Sequence, residues 1–207
     1  MRKIETNFKD LKIIKLKKHS DNRGYLKETF RKNKIQNKNL PFTYYVNSRK
    51  NIIRGFHFQY KFQQIKYITV LKGRILDCVI DLRKKSKTFG KVYKIILSEK
   101  NSLSFYIPAG FAHAYLTLDK ENIVLYNLSN YYRPKFESGI IWNDNNLNIN
   151  WPIKKPLLSL KDKRLPTFQS FLKKFKTYLI PYIRSHFQFS VALKFLNPFL
   201  VLFDLDL

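Results

Sequence analysis

A mainly-β fold of sandwich or barrel type is what this chain predicts. From residue 52 to residue 132, short β-rich segments follow one another at regular spacing: 52–58, 66–71, 74–82, 92–97, 103–107, 113–118 and 122–128, with turn residues between them. The composition is that of a packed chain, 44% hydrophobic with 18 Phe and 13 Tyr but only 6 Gly. At 207 residues the chain suits one domain with a proper core plus an appendage. No GxGxxG or P-loop pattern occurs, so a nucleotide bound here is not held by a Rossmann or Walker loop.

The elements follow in order. Residues 9 to 18 alternate loosely and read as an early strand. Asp21-Asn22-Arg23-Gly24 is a turn in which Gly24 can take φ > 0, and Tyr25 to Phe30 reads as the next strand. Arg23 and Glu28 flank this hairpin and, on sequence alone, read as surface charge. Lys72-Gly73 marks a hairpin turn between two of the central strands. Residues 133 to 167 are turn-rich with aromatic anchors, which suits a strand or two and short helical turns packed over a barrel mouth.

The composition changes after Phe168, dividing the chain into a domain at 1–168 and an apolar, basic extension at 169–207. Its apolar run from Phe187 to Phe203 is interrupted by Gln188, Lys194, Asn197 and Pro198, too broken for a spanning helix. A terminal helix packed on the barrel or on a second subunit, an amphipathic segment lying on a membrane, and a poorly ordered extension are the open readings.

Forty Lys+Arg against 14 Asp+Glu give a net charge of +26, which favours anionic partners. The lysines are spread along the chain, and no helix-turn-helix, zinc knuckle or aromatic sheet motif accompanies them, so nucleic acid is not the expected partner. The single cysteine, Cys78, lies in an apolar run and reads as core filler in a reducing compartment. Met1-Arg2-Lys3-Ile4-Glu5 opens without an apolar run of signal length, so a cytoplasmic location is expected.

The run Ile53-Arg54-Gly55-Phe56-His57-Phe58-Gln59, followed by Lys66, gathers a histidine, an arginine and a lysine within alternating apolar residues. Tyr126, in Ile123-Val124-Leu125-Tyr126, lies in another such run. A base, a cation and a phenol in one apolar pocket suit proton transfer beside a carbonyl. The base abstracts, the cation holds the developing enolate oxygen, and the phenol returns the proton. Asp162 is a carboxylate that can orient the imidazole and stabilise its protonated form.

Ile107-Pro108-Ala109-Gly110-Phe111-Ala112-His113 resembles the second half of the cupin barrel pattern. Metal-binding cupins pair it with His-x-His and a downstream Glu, whereas this chain has His57-Phe58-Gln59. With one imidazole replaced by an amide, a tight divalent site is not expected.

Over residues 10 to 168 the chain resembles the dTDP-4-dehydrorhamnose 3,5-epimerase family of cupin-fold sugar-nucleotide epimerases. The runs that carry the resemblance are Asp21-x-Arg23-Gly24 with Glu28, the Ile53 to Gln59 run, Gln64-x-Lys66 and Gly73 to Asp77 through Asp81-Leu82-Arg83. They continue with Ser86-x-Thr88-Phe89-Gly90, the Ile107 to His113 run, Tyr126, Tyr131-Tyr132, Trp142-Asn143-Asp144, Trp151-Pro152 and Ser159-x-Lys161-Asp162.

The resemblance implies a cupin-type double-stranded β-helix, or jelly roll, with short helical segments, no cofactor, a nucleotide-sugar substrate and a homodimer. It makes His57 the base beside the 4-keto group, Asp162 its dyad partner, Lys66 the enolate stabiliser and Tyr126 the acid on the opposite sugar face. Arg54 and His113 would line the sugar pocket, with Gln59, Glu137 and Lys161 as further substrate contacts. Arg23, Glu28 and Tyr132 would reach the nucleotide, partly across the dimer interface.

A single-centre epimerase, a ketoisomerase and a non-catalytic cupin binding protein are the alternatives. Two departures from the family pattern stand near the pocket. Ala114 replaces the usual glycine and is expected to add a methyl there, and Tyr44-Tyr45-Val46-Asn47-Ser48 is shorter than the loop that commonly carries a Gln-x-Asn pair and lacks its Gln.

Overall fold

The computed structural model describes residues 1–35 and 39–174. Two antiparallel sheets face each other. Strands β1 (Arg2–Glu5), β2 (Lys12–Lys15), β5 (Phe42–Arg49), β7 (Lys66–Lys72), β10 (Leu103–Ile107) and β12 (Glu121–Leu128) form the larger sheet, in the order β1-β2-β10-β7-β12-β5. The other contains β6 (Ile53–Gln59), β8 (Arg74–Asp81), β9 (Val92–Ser98), β11 (Phe111–Thr117) and β13 (Glu137–Gly139), in the order β13-β6-β11-β8-β9. Strands β3 (Lys18–Asp21) and β4 (Gly24–Lys27) pair only with each other. This is the mainly-β fold expected from the spacing of the short strands, in the jelly-roll form that the family resemblance implies.

Alternation explains how one chain fills both faces of each sheet. Ile68 and Val70 of β7, Phe105 and Ile107 of β10, and Val124 and Leu128 of β12 point between the sheets, where they meet Ile75, Val79, Leu97, Phe111 and Tyr115. The opposite face of the smaller sheet presents Phe56, Phe58, Cys78, Ile80, Ala112 and Ala114, which Ile140, Leu147, Phe168 and Phe171 cover. Phe168 and Phe171 belong to helix α2 (Phe168–Lys174), so the helix that straddles the expected domain boundary buries aromatic side chains on the barrel. Each such side chain stabilises the fold by about 1.5–3 kcal/mol. The readings of the tail fall on residues 175–207, outside the described residues.

Ala114 follows the same rule. It lies on the outer face of β11 with Phe56 and Cys78, while His113 points into the barrel, so its methyl enters the outer core and not the pocket. That corrects the expectation, and strict alternation is the reason.

Two strands escaped the sequence reading, β1 and β5, while β13 falls in the stretch 133–167 where a strand or two was expected. The early strand expected over 9–18 is interrupted, with β2 and β3 separated at Leu16 and Lys17. The two expected hairpin turns form as anticipated, with Gly24 at φ +135° and Gly73 at φ +76°. Burial pushes the Cys78 thiol well above its ordinary pKa, in keeping with a packing role. Among the described residues no helix is long and apolar enough to cross a membrane, and no group of three or more His, Cys, Asp or Glu could hold a metal ion.

Candidate active site

The polar end of the barrel is built by side chains that keep the inward parity of their strands. Lys66 starts β7, Asp77 is inward on β8, His113 and Tyr115 are inward on β11, and Tyr126 is inward on β12. Arg54 and His57 are three positions apart on β6 and would face opposite sides of a regular strand. A register shift brings them together: Tyr115 pairs with Arg54 and His113 with His57, so two steps on β11 match three on β6. Gly55 makes this irregularity possible. Its φ is +115°, and a Cβ there would run into the His113 carbonyl and Ala114.

His57 Nε2 lies 2.6 Å from Asp162 Oδ1. Asp162 arrives on helix α1 (Leu160–Lys163), where Ser159 is the N-cap and its hydroxyl accepts from the Asp162 N–H at 3.0 Å. The segment before α1 is tied to β6 by a bridge between Ile52 and Leu157. Burial alone would raise the Asp162 pKa. The hydrogen bond and charge of His57, the Ser159 hydroxyl and the Gly55 N–H outweigh it and hold the carboxyl below its ordinary value. Its negative charge is therefore secure beside the imidazole.

Lys66 is buried and donates from Nζ to the His57 carbonyl at 3.1 Å. Burial lowers its pKa to about 8 against the opposing pull of the Asp77 charge. Such an ammonium is poorly solvated and ready to bind a developing oxyanion.

Across the strand pair from His57 stands a second imidazole with its own carboxylate. His113 Nε2 lies 3.0 and 2.9 Å from the two Asp77 oxygens, and both residues are buried. Burial lowers the His113 pKa, while Asp77 works to raise it. Asp77 was not singled out in the sequence, although a carboxylate at an inward position of an otherwise apolar strand was signal enough.

Tyr126 is buried on the facing sheet, with its ring 5.9 Å from that of His113 and stacked on Tyr44 at 4.9 Å and 14°. Burial pushes its pKa well above that of an ordinary phenol, with Tyr115, Tyr44 and Asp77 adding to the shift. Tyr44 is the second residue missed. It lies opposite Tyr126 on the unrecognised β5, and burial raises its pKa to about 12. Arg54 donates to the Ser48 hydroxyl of β5 at 3.2 and 3.1 Å from Nε and Nη2.

The other expected contacts divide into three places. Tyr132 donates to Glu137 Oε2 at 2.8 Å, and Lys161 pairs with the same oxygen, so these three cluster at the rim where β13 meets β6. Gln59 is buried and already engaged: its amide donates to the carbonyls of Phe62 and Tyr131 and accepts from the Arg133 N–H at 2.6 Å. Arg23 and Glu28 are on the isolated hairpin and its exit, paired with Asp21 and Arg31 respectively. The side chain of Arg23 is 85% exposed. Within one chain the hairpin is tied elsewhere, its Tyr25 hydroxyl donating to Glu99 at 2.6 Å.

Comparison with known proteins identifies the family. The profile of the dTDP-4-dehydrorhamnose 3,5-epimerase family matches residues 5–170. A dTDP-4-dehydrorhamnose 3,5-epimerase of Methanothermobacter thermautotrophicus is 36% identical over 167 residues, covering 77% of this chain and 90% of the relative. The Neisseria gonorrhoeae enzyme of the same name is 38% identical over 77% of this chain, which spans 50% of that relative's length. Among solved structures, a dTDP-6-deoxy-D-glucose-3,5-epimerase from Legionella pneumophila in complex with dTDP-4-keto-L-rhamnose superposes with a TM-score of 0.80 at 32% identity. It covers 89% of this chain and 99% of its own.

Proposed function

Because the chain belongs to the dTDP-4-dehydrorhamnose 3,5-epimerase family, we propose that it epimerises C3 and C5 of dTDP-4-dehydro-6-deoxyglucose, giving dTDP-4-dehydrorhamnose. One observation carries the chemistry. His57, held by Asp162 of α1, is on the smaller sheet and Tyr126 is on the larger, so base and acid approach a sugar held between the sheets from opposite sides.

The substrate's own ketone acidifies the neighbouring C–H bonds, so the reaction needs no cofactor. His57 Nε2 is held by Asp162, which leaves Nδ1 to take the proton. The electron pair moves onto the ketone oxygen, where the Lys66 ammonium stabilises it. Tyr126 gives its proton to the carbon from the other face, inverting that centre and leaving a phenolate opposite an imidazolium. Exchange with solvent resets both groups. The neutral His113, held by Asp77, and Arg54 line the sugar pocket; Gln59 braces its rim, and Tyr132, Glu137 and Lys161 form the wall toward the nucleotide.

Arg23 and Glu28 complete the site in a homodimer, where the hairpin of one copy reaches the pocket of the other. The exposure of that hairpin, with Leu26 66% exposed, supports this reading. A cytoplasmic location accords with a nucleotide-sugar substrate and a free buried thiol.

Proton NMR of dTDP-4-keto-6-deoxyglucose in D2O tests the assignment. Deuterium entering at both C3 and C5 is expected. Entry at one centre alone would restrict the activity to a single epimerisation, and no entry with folded protein would refute it.

A further inference from the structure

Tyr115 is inward on β11, opposite Asp77 on β8 and Arg54 on β6, and only 1% exposed. Its hydroxyl is buried and finds no partner at full hydrogen-bond geometry, although the Ser48 and Tyr126 hydroxyls are close enough to act on it. Leaving a buried hydroxyl unpaired costs about 1–3 kcal/mol, whereas phenylalanine in the same space would carry no such cost. A phenol retained there needs a partner at some stage of the enzyme's cycle.

The groups around it indicate that partner. Tyr115 and Tyr126 belong to one packed cluster, and both rings lie against His113, at 6.2 and 5.9 Å. The Tyr115 hydroxyl feels the Arg54 guanidinium, the Ser48 and Tyr126 hydroxyls and the Asp77 carboxylate. No other phenolic hydroxyl of the pocket is both buried and unpaired among the described residues, since Tyr44 is 39% exposed at the mouth.

We infer that Tyr115 is a positioning residue for the reprotonation step, donating its hydroxyl hydrogen to the Tyr126 oxygen when that oxygen becomes a phenolate. The inference rests on Tyr126 being the proton donor. Before transfer both phenols are neutral and the contact between their hydroxyls is weak, short of full hydrogen-bond geometry. As the Tyr126 O–H bond breaks and a C–H bond forms at the sugar, the negative charge left on Tyr126 meets the Tyr115 O–H, which keeps its own proton. Arg54, facing Tyr115 from β6, adds a positive field, while Asp77 on β8 opposes it and the neutral Tyr44 on β5 covers the outer ring face of Tyr126. A hydrogen bond that is weak between two neutral phenols and strengthens as charge develops stabilises the transition state more than the ground state.

The test is Tyr115→Phe, which deletes one oxygen and keeps the packing. Inversion of dTDP-4-keto-6-deoxyglucose should slow by about 10- to 100-fold through kcat, as for a hydrogen bond to a charged group, with KM unchanged. Deuterium exchange with retention, which needs only the His57 face, should persist, so the ratio of exchange to inversion rises. A wild-type inversion rate in Tyr115→Phe would overturn the inference, and so would equal loss of exchange and inversion, the mark of a packing defect. Tyr126→Phe is run in parallel. Full inversion in that variant would refute Tyr126 as the acid, whereas inversion lost there but intact in Tyr115→Phe would refute the role of Tyr115 alone.

Discussion

Asp162 meets His57 from 105 positions further along the chain and is the more deeply buried of the two, its side chain 5% exposed against 27% for the imidazole. The carboxylate thus has little water to solvate it and depends on His57, Ser159 and Gly55 for stabilisation. The imidazole retains an open side toward the pocket. A proton acquired there is stabilised by a negative charge already in place, so little reorganisation accompanies the transfer.

Asp162→Asn preserves the shape of this contact and removes the charge. We expect kcat to fall by about 100-fold or more with KM little changed, since the imidazolium loses its counter-charge. The acid limb of stability should change as well. The folded-state pKa of Asp162 is depressed, so its contribution is present above the unfolded carboxylate value, near pH 4, and is lost as pH falls through the folded value. Urea midpoints between about pH 2 and 5 should therefore depend less on pH in the variant; an unchanged dependence would remove the pair from the stability argument.

Lys66 works in the opposite direction. Its folded-state pKa of about 8 lies below the ordinary lysine value of 10.5, so the unfolded chain binds the extra proton and stability rises with pH across that window. At neutral pH the buried ammonium is a cost of about 3 kcal/mol. Lys66→Met should recover part of this, less the lost hydrogen bond to the His57 carbonyl, while abolishing epimerisation. In the native enzyme kcat should decline as pH rises through about 8. A variant both active and less stable would contradict the enolate-stabilising role.

Gly55 controls whether His57 and Arg54 share a face. Gly55→Ala places a methyl against the His113 carbonyl and Ala114 at a backbone angle of φ +115°. The variant should lose about 2 kcal/mol or more and most of its activity, measurable as a lower thermal midpoint and a fall in kcat. Wild-type stability would mean that β6 can recover a regular register.

Legibility in the sequence differed between neighbouring parts of the site for physical reasons. Inward positions separated by even steps, such as His113 and Tyr115, announce a shared face through alternation alone. Arg54 and His57 do not, because the register shift at Gly55 changes the parity, and their convergence emerges only when β6 and β11 are paired. Strand β5 was missed because Tyr44, Tyr45 and Asn47 are all exposed, so no clean polar-apolar alternation marks it, and with it went the stack of Tyr44 on Tyr126. Asp77 was legible as an oddity in an apolar run, but its partner His113 is 36 positions away, a pairing that neither spacing nor composition specifies.

That pairing gives the last prediction, in which one carboxylate serves both a neutral imidazole and a buried ammonium. Asp77 accepts from His113 and also raises the pKa of Lys66, both from the barrel interior. Asp77→Asn can still accept the His113 N–H through its amide oxygen, so the fold should survive with a modest loss of stability. The charge on Lys66, however, is no longer supported, and its pKa should fall below the native value of about 8. The alkaline decline of kcat should accordingly move to lower pH, with His57-dependent exchange at low pH retained. The sign follows from the charge alone: removing an anion beside a buried lysine favours the neutral amine. A pH–rate profile superposable on that of the native enzyme would show that Asp77 acts only on His113, and that the ammonium of Lys66 owes nothing to the second carboxylate.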